Sequence, residues 1–105
     1  MSHLSDVIVF TSDNYFMVRI DSTLRKLGII DVTCHSNRME IGLRNEEVGV
    51  MIRYPENLDY LPDAVEEEMR LQTPLYESNI QTIRYYIYEN LEQIKQALGL
   101  INKIA

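Results

Sequence analysis

A chain of 105 residues is long enough to bury one hydrophobic core without disulfides or metal and too short for two, so residues 1–105 are expected to form a single domain. Hydrophobic residues at 46% and charged residues at 25% exclude general disorder. A net charge of −6 argues against a surface for nucleic-acid phosphates, which clustered Lys and Arg hold, and suits docking to a basic protein surface.

Val7-Ile8-Val9-Phe10 is a continuous apolar run that ends in the turn-forming Ser12-Asp13-Asn14, which predicts a buried strand. Phe16, Ile20, Leu24 and Leu27 then stand at i, i+4, i+8 and i+11. With Ser12 or Asp13 as N-cap, Arg25 and Lys26 in the last turn and Gly28 as the stop, they predict a helix. Tyr15-Phe16-Met17-Val18 also has β character, so residues 12–20 admit a rival reading in which Val7 to Thr11 and Tyr15 to Ile20 form a hairpin.

From Ile30 the period becomes two. Ile30, Val32 and Cys34 alternate with Asp31, Thr33 and His35; after Ser36-Asn37-Arg38, Met39, Ile41 and Leu43 alternate with Glu40, Gly42 and Arg44. After Asn45-Glu46-Glu47, Val48, Val50, Ile52 and Tyr54 do the same, and Pro55 ends the run because it has no N–H for a ladder. Leu61, Val65 and Met69 mark a short acidic helix with Pro62 in its first turn.

The last third carries Ile80, Ile83, Ile87, Leu91, Ile94, Leu98 and, if the helix runs on, Ile101 at spacings of three and four. Ser78 with Gln81 forms a capping-box pattern, Thr73-Pro74 offers a start one turn earlier, and Gly99 with Leu100 has the form of a Schellman stop. The order β-α-β-β-β-α-α predicts an α+β fold: an antiparallel β-meander of three strands plus an N-terminal strand, packed against helices, with a long C-terminal helix.

That helix, with Tyr85, Tyr86 and Tyr88 widening its apolar side, has more apolar surface than one small layer covers. The excess predicts a homodimer assembled through Ile80, Ile83, Ile87, Leu91, Ile94 and Leu98. The segment Glu56, Asp59, Tyr60, Asp63, Glu66 and Glu67, which continues to Glu68 with no Lys or Arg before Arg70, is a candidate docking surface for a basic partner. Its bland reading is a solvated face with favourable first-turn charge.

Catalytic readings fare less well. Cys34 and His35 are neighbours on a strand and point to opposite faces, so Cys34 is expected in the core rather than as a nucleophile paired with its base. His3 is the other histidine, and no Cys or His pair has zinc-ligand spacing. Asp13, Asp31 and His35 have no spacing that forces them together. The tyrosines of the long helix lack the basic groove that base stacking needs. The opening strand and acids superficially resemble a response-regulator receiver domain, but Tyr54-Pro55 stands where the phosphoacceptor aspartate would be and the later strand-helix units are missing, so the resemblance is set aside.

The expectation is a non-enzymatic protein–protein interaction domain, an adaptor, chaperone or regulator, that self-associates through its C-terminal helix and needs no cofactor. The alternative is an immunity-type or virus-encoded inhibitor whose acidic segment blocks a basic or nucleic-acid-binding protein. One cysteine, no apolar region after a basic N-terminus and no run of eighteen apolar residues lead to the expectation of a cytoplasmic protein away from membranes.

Overall fold

Five strands pair in chain order, each antiparallel to the one before, in a computed structural model that describes residues 7–10 and 14–104 and, among these, the side chains of residues 14–101. They are β1 (Val7–Phe10), β2 (Tyr15–Val18), β3 (Ile29–His35), β4 (Arg38–Leu43) and β5 (Val50–Arg53). A short helix, α1 (Ser22–Lys26), separates β2 from β3. After β5 a 3₁₀ turn over Leu58–Tyr60 leads into α2 (Leu61–Gln72), α3 (Glu77–Glu89) and α4 (Leu91–Ile104). The fold is α+β, with a long helical C-terminal third.

Alternation decides which face of the sheet is covered. Phe16, Cys34, Met39 and Ile52 form one cross-strand row, and Val18, Val32, Ile41 and Val50 the next; all eight are buried. Against these rows α2 lies along β5, α3 packs on α2, and α4 crosses to β3 and β1. Leu61, Val65 and Met69, as expected, turn inward from α2. Burying a side chain of this size stabilises by roughly 1.5–3 kcal/mol, so the interface between sheet and helices carries the fold. The opposite face, with Tyr15, Met17, Thr33, His35, Arg38, Glu40 and Met51, is only partly buried.

Residues 15–18 correct the helix expected over this region: the rival hairpin is what forms. Tyr15–Val18 pairs on both sides, with β1 and β3, and two ladders outweigh an i, i+4 coincidence in a segment of aromatic and β-branched residues. Asn14, at φ 55, takes the left-handed conformation just before β2, one that asparagine tolerates. Helix begins only at α1, where the Asp21 carboxylate accepts from the Leu24 N–H at 3.1 Å. The proposed caps Ser12 and Asp13 lie outside the described residues, as does His3.

Three further boundaries differ. The β5 ladder starts at Val50, and Val48 is 67% exposed. Gly49 precedes it so close to β4 that a Cβ there would lie 2.0 Å from the Ile41 carbonyl oxygen, which explains glycine at this position. Helix α3 starts at Glu77 with no side-chain cap, so Ser78 is inside the helix rather than capping it. Gly99 does not end α4, because Ile101, one turn from Leu98, is buried and holds the chain helical past it.

The helical third also bends. A straight helix over residues 77–104 would be about 42 Å long, more than the 37 Å longest dimension of the molecule. The break is at Asn90, which is 1% exposed with ψ 7 rather than a helical value. Its Nδ2 donates to the Tyr86 carbonyl at 2.8 Å, the same oxygen that accepts from its backbone N–H at 3.1 Å. The Tyr86 carbonyl is thus doubly engaged where α3 ends, and the backbone of Asn90, at φ −100 and ψ 7, redirects the chain into α4. The bend turns Leu91, Ile94 and Leu98 onto the sheet.

Candidate functional site

The apolar stripe assigned to self-association is core. Ile80, Ile83, Ile87, Leu91, Ile94 and Leu98 are each no more than 9% exposed, packed within one chain against the sheet and α2. A second copy cannot reach these side chains without opening the domain, which corrects their assignment as contact residues. The sheet and α2 together cover the stripe.

Much of the acidic segment faces cations of its own chain. Asp59, in the 3₁₀ turn, accepts from Lys95 Nζ at 2.8 Å, and this bond raises the lysine's pKa. Asp63 pairs with Arg84 at 2.8 Å. Glu66 pairs with Arg70 at 2.6 Å and with Arg84 at 3.2 Å. Arg70 also binds Glu77, holding that carboxyl below its ordinary range and raising its own pKa. These bonds tie α2 to α3 and the 3₁₀ turn to α4. Glu56 and Glu67 are exposed and make no ion pair among the described residues, and Tyr60 is exposed beside them.

The outward side of α3 is aromatic. Tyr85 and Tyr88 are each 59% exposed, one turn apart, with ring centroids 6.4 Å from each other. Next to them, between α1 and α3, lies a groove of about 250 Å³ floored by Leu24 and Tyr86 and rimmed by Tyr85, Thr82, Asp21 and Glu89. Tyr86 is held in place by its hydroxyl, which donates to the Arg19 carbonyl at 2.8 Å and ties α3 to the end of β2.

On the uncovered sheet face, register assembles a row across four strands: Tyr15 opposite His35, His35 beside Arg38 across the hairpin turn, and Arg38 opposite Arg53. The Tyr15 and His35 rings lie 5.7 Å apart, and His35 Nε2 is 3.3 Å from Glu40 Oε1. Asp31, farther along the face, is pushed up by burial and by the Glu40 charge, against a Gly42 backbone hydrogen bond that lowers it. Cys34 points the other way and is fully buried, as expected from the alternation. Burial pushes its thiol up to about 12, with a hydrogen bond to Tyr54 acting in the opposite direction. The Tyr54 hydroxyl donates to the His35 carbonyl at 2.7 Å, and burial raises its pKa, with the nearby Cys34 adding to the rise.

Chemistry finds little to work with in these arrangements. Cys34 and His35 point to opposite faces, and Asp31 and His35, although on the same face, sit in different rows with Thr33 between them. No group of three His, Cys, Asp or Glu among the described residues is placed to hold a metal ion, and no helix among them is long and apolar enough to cross a membrane. Two features escape sequence inspection because they depend on strand register and on where a helix ends: the juxtaposed Arg38 and Arg53, and a side-chain clamp from Gln72 onto the β5 backbone. Comparison of the chain with protein-family models, with curated proteins and with solved structures gives no match.

Proposed function

We propose that the chain is a non-enzymatic protein-interaction domain that receives its partner on the outward face of α3. The observation that carries this reading is the Tyr85 and Tyr88 pair, half-exposed beside an apolar groove and unnecessary to the core. Tyrosine gives a large, stiff contact area with a polar tip, and such side chains concentrate where proteins meet. The acidic rim of the groove, Asp21 and Glu89, favours a partner that brings a basic side chain. The inert surroundings of Cys34 support binding rather than nucleophilic chemistry.

A second copy of the chain is the first partner to test. With the isoleucine stripe buried, a symmetric dimer would meet through Tyr85 and Tyr88. Light scattering across a wide concentration range, with the double variant Tyr85→Glu/Tyr88→Glu alongside, reads this directly. A dimer that the folded double variant splits supports self-association. A chain that stays monomeric, and from which the double substitution removes no protein retained by the native domain as bait, overturns the α3 reading. The inhibitor alternative rests on Glu56 and Glu67, since Asp59, Asp63 and Glu66 are engaged within the chain; it requires affinity for a basic protein that Glu56→Lys/Glu67→Lys abolishes.

A further inference from the structure

Among the described residues, strand β5 pairs with β4 alone, and its other side is an edge. At that edge the Gln72 side chain, on the last residue of α2, behaves as a fragment of a sixth strand. Its Oε1 accepts from the Met51 N–H at 3.3 Å and its Nε2 donates to the Met51 carbonyl at 2.9 Å. A primary amide has the same donor and acceptor as a peptide group, so this reciprocal pair copies one rung of an antiparallel ladder. By the two-residue repeat of a strand, the N–H and C=O of Arg53 face the same way, and no side chain covers them among the described residues. Exposed strand edges recruit extended chains unless something blocks them.

Side chains around this edge say what kind of chain would fit. Arg38 and Arg53 are directly opposite each other on β4 and β5, a like-charge pairing that is unfavourable unless an anion lies between or beside the two. Neither has a carboxylate within ion-pair distance among the described residues; Arg38 instead donates to the Asn37 side chain at 3.0 Å. That sets them apart from Arg70, Arg84 and Lys95, all of which are paired. A hollow of about 510 Å³ runs along the edge, lined by Arg38, Arg53, Met51, Glu68 and Gln72. Glu68 is its acidic member, and it is engaged by Gln72 Nε2 at 2.6 Å on the α2 side.

We propose that β5 accepts an extended acidic segment of another protein as a sixth strand, with Gln72 as its displaceable stand-in. The incoming chain takes over the Met51 hydrogen bonds and adds those of Arg53. Its side chains alternate: acidic ones on the open face complete the row of His35, Arg38 and Arg53, and those between face α2 and Glu68, where a negative charge is unwelcome. A carboxylate suits Arg because the planar guanidinium can bind both oxygens at once. This edge is separate from the α3 surface, so the two proposals stand or fall independently.

The test is amide NMR of the full chain titrated with a capped nine-residue peptide that alternates glutamate with threonine and valine. Three controls are the same peptide with lysine for glutamate, the same with a central proline, and the chain alone over a concentration range. The expected result is slowed exchange and shifted resonances at the Met51 and Arg53 amides with the acidic peptide alone. Gln72→Ala should tighten binding several-fold by uncovering Met51, and the exposed substitution Arg53→Glu should weaken it at least tenfold. No change at Met51 and Arg53 in either the native chain or Gln72→Ala overturns the proposal, and so does equal binding by the lysine or proline peptide. Concentration-dependent changes at Met51 without peptide would assign the edge to a second copy and overturn it as well.

Discussion

At the scale of single residues, Cys34, Asn90 and Gly49 carry the clearest consequences. Burial lifts the Cys34 thiol from 9.0 to about 12, so the folded chain keeps a proton that the unfolded chain loses first. Its contribution to stability is therefore full below about pH 9 and declines as pH rises toward 12. Tyr54, also raised, acts in the same direction. Urea melts at increasing alkaline pH should show falling stability, with a shallower fall in Cys34→Ala, and the native thiol should resist alkylation near neutral pH. Asn90→Ala removes a buried hydrogen bond to the Tyr86 carbonyl and should cost about 1–2 kcal/mol in the same melts. Gly49→Ala sets a methyl against the Ile41 carbonyl and should cost about 2–4 kcal/mol by forcing β4 and the strand entry apart.

At the scale of elements, periodicity reports which face is apolar and is silent on what covers it. The alternation of Val32 and Cys34, Met39 and Ile41, Val50 and Ile52 was readable because every second residue of those strands meets the helical layer. The 3.6-residue pattern over Leu61, Val65 and Met69 was readable for the same reason. Phe16, Ile20 and Leu24 misled because the inward residues of a strand, a connection and a short helix happen to fall four apart. The isoleucine stripe was legible as a stripe, while its destination depended on how much sheet lies beneath it. Ile87→Glu and Ile94→Glu, each at a fully buried position, should accordingly unfold the domain, losing more than about 4 kcal/mol as judged by far-UV circular dichroism, rather than yield folded monomers. Tyr85→Glu/Tyr88→Glu, on the outward side of the same helical run, should change stability by no more than about 0.5 kcal/mol. The Arg38 and Arg53 pair was beyond sequence inspection because it requires the β4–β5 register, which a six-residue connection leaves open.

At the scale of the whole molecule, the sheet is divided between a sealed face and an open one, and the candidate binding features share no residue: the α3 tyrosines lie on the helical layer and the β5 edge beside the open face. A chain this small can hold two separate contact regions because its core needs one side of the sheet only. The bend at Asn90 has a consequence in time. Every strand pairs with its neighbour in sequence, so the meander can zip together as the chain is made, by contacts that are local. Helix α4, however, lies against β1, the first strand, and a helix reaches that far only after Asn90 has redirected it. Strand β1 must therefore wait for α4. A chain halted before Asn90 would carry a sheet whose inner face is still bare where α4 packs at β1 and β3, the state most prone to wrong association, and docking of α4 would be the step that closes the domain.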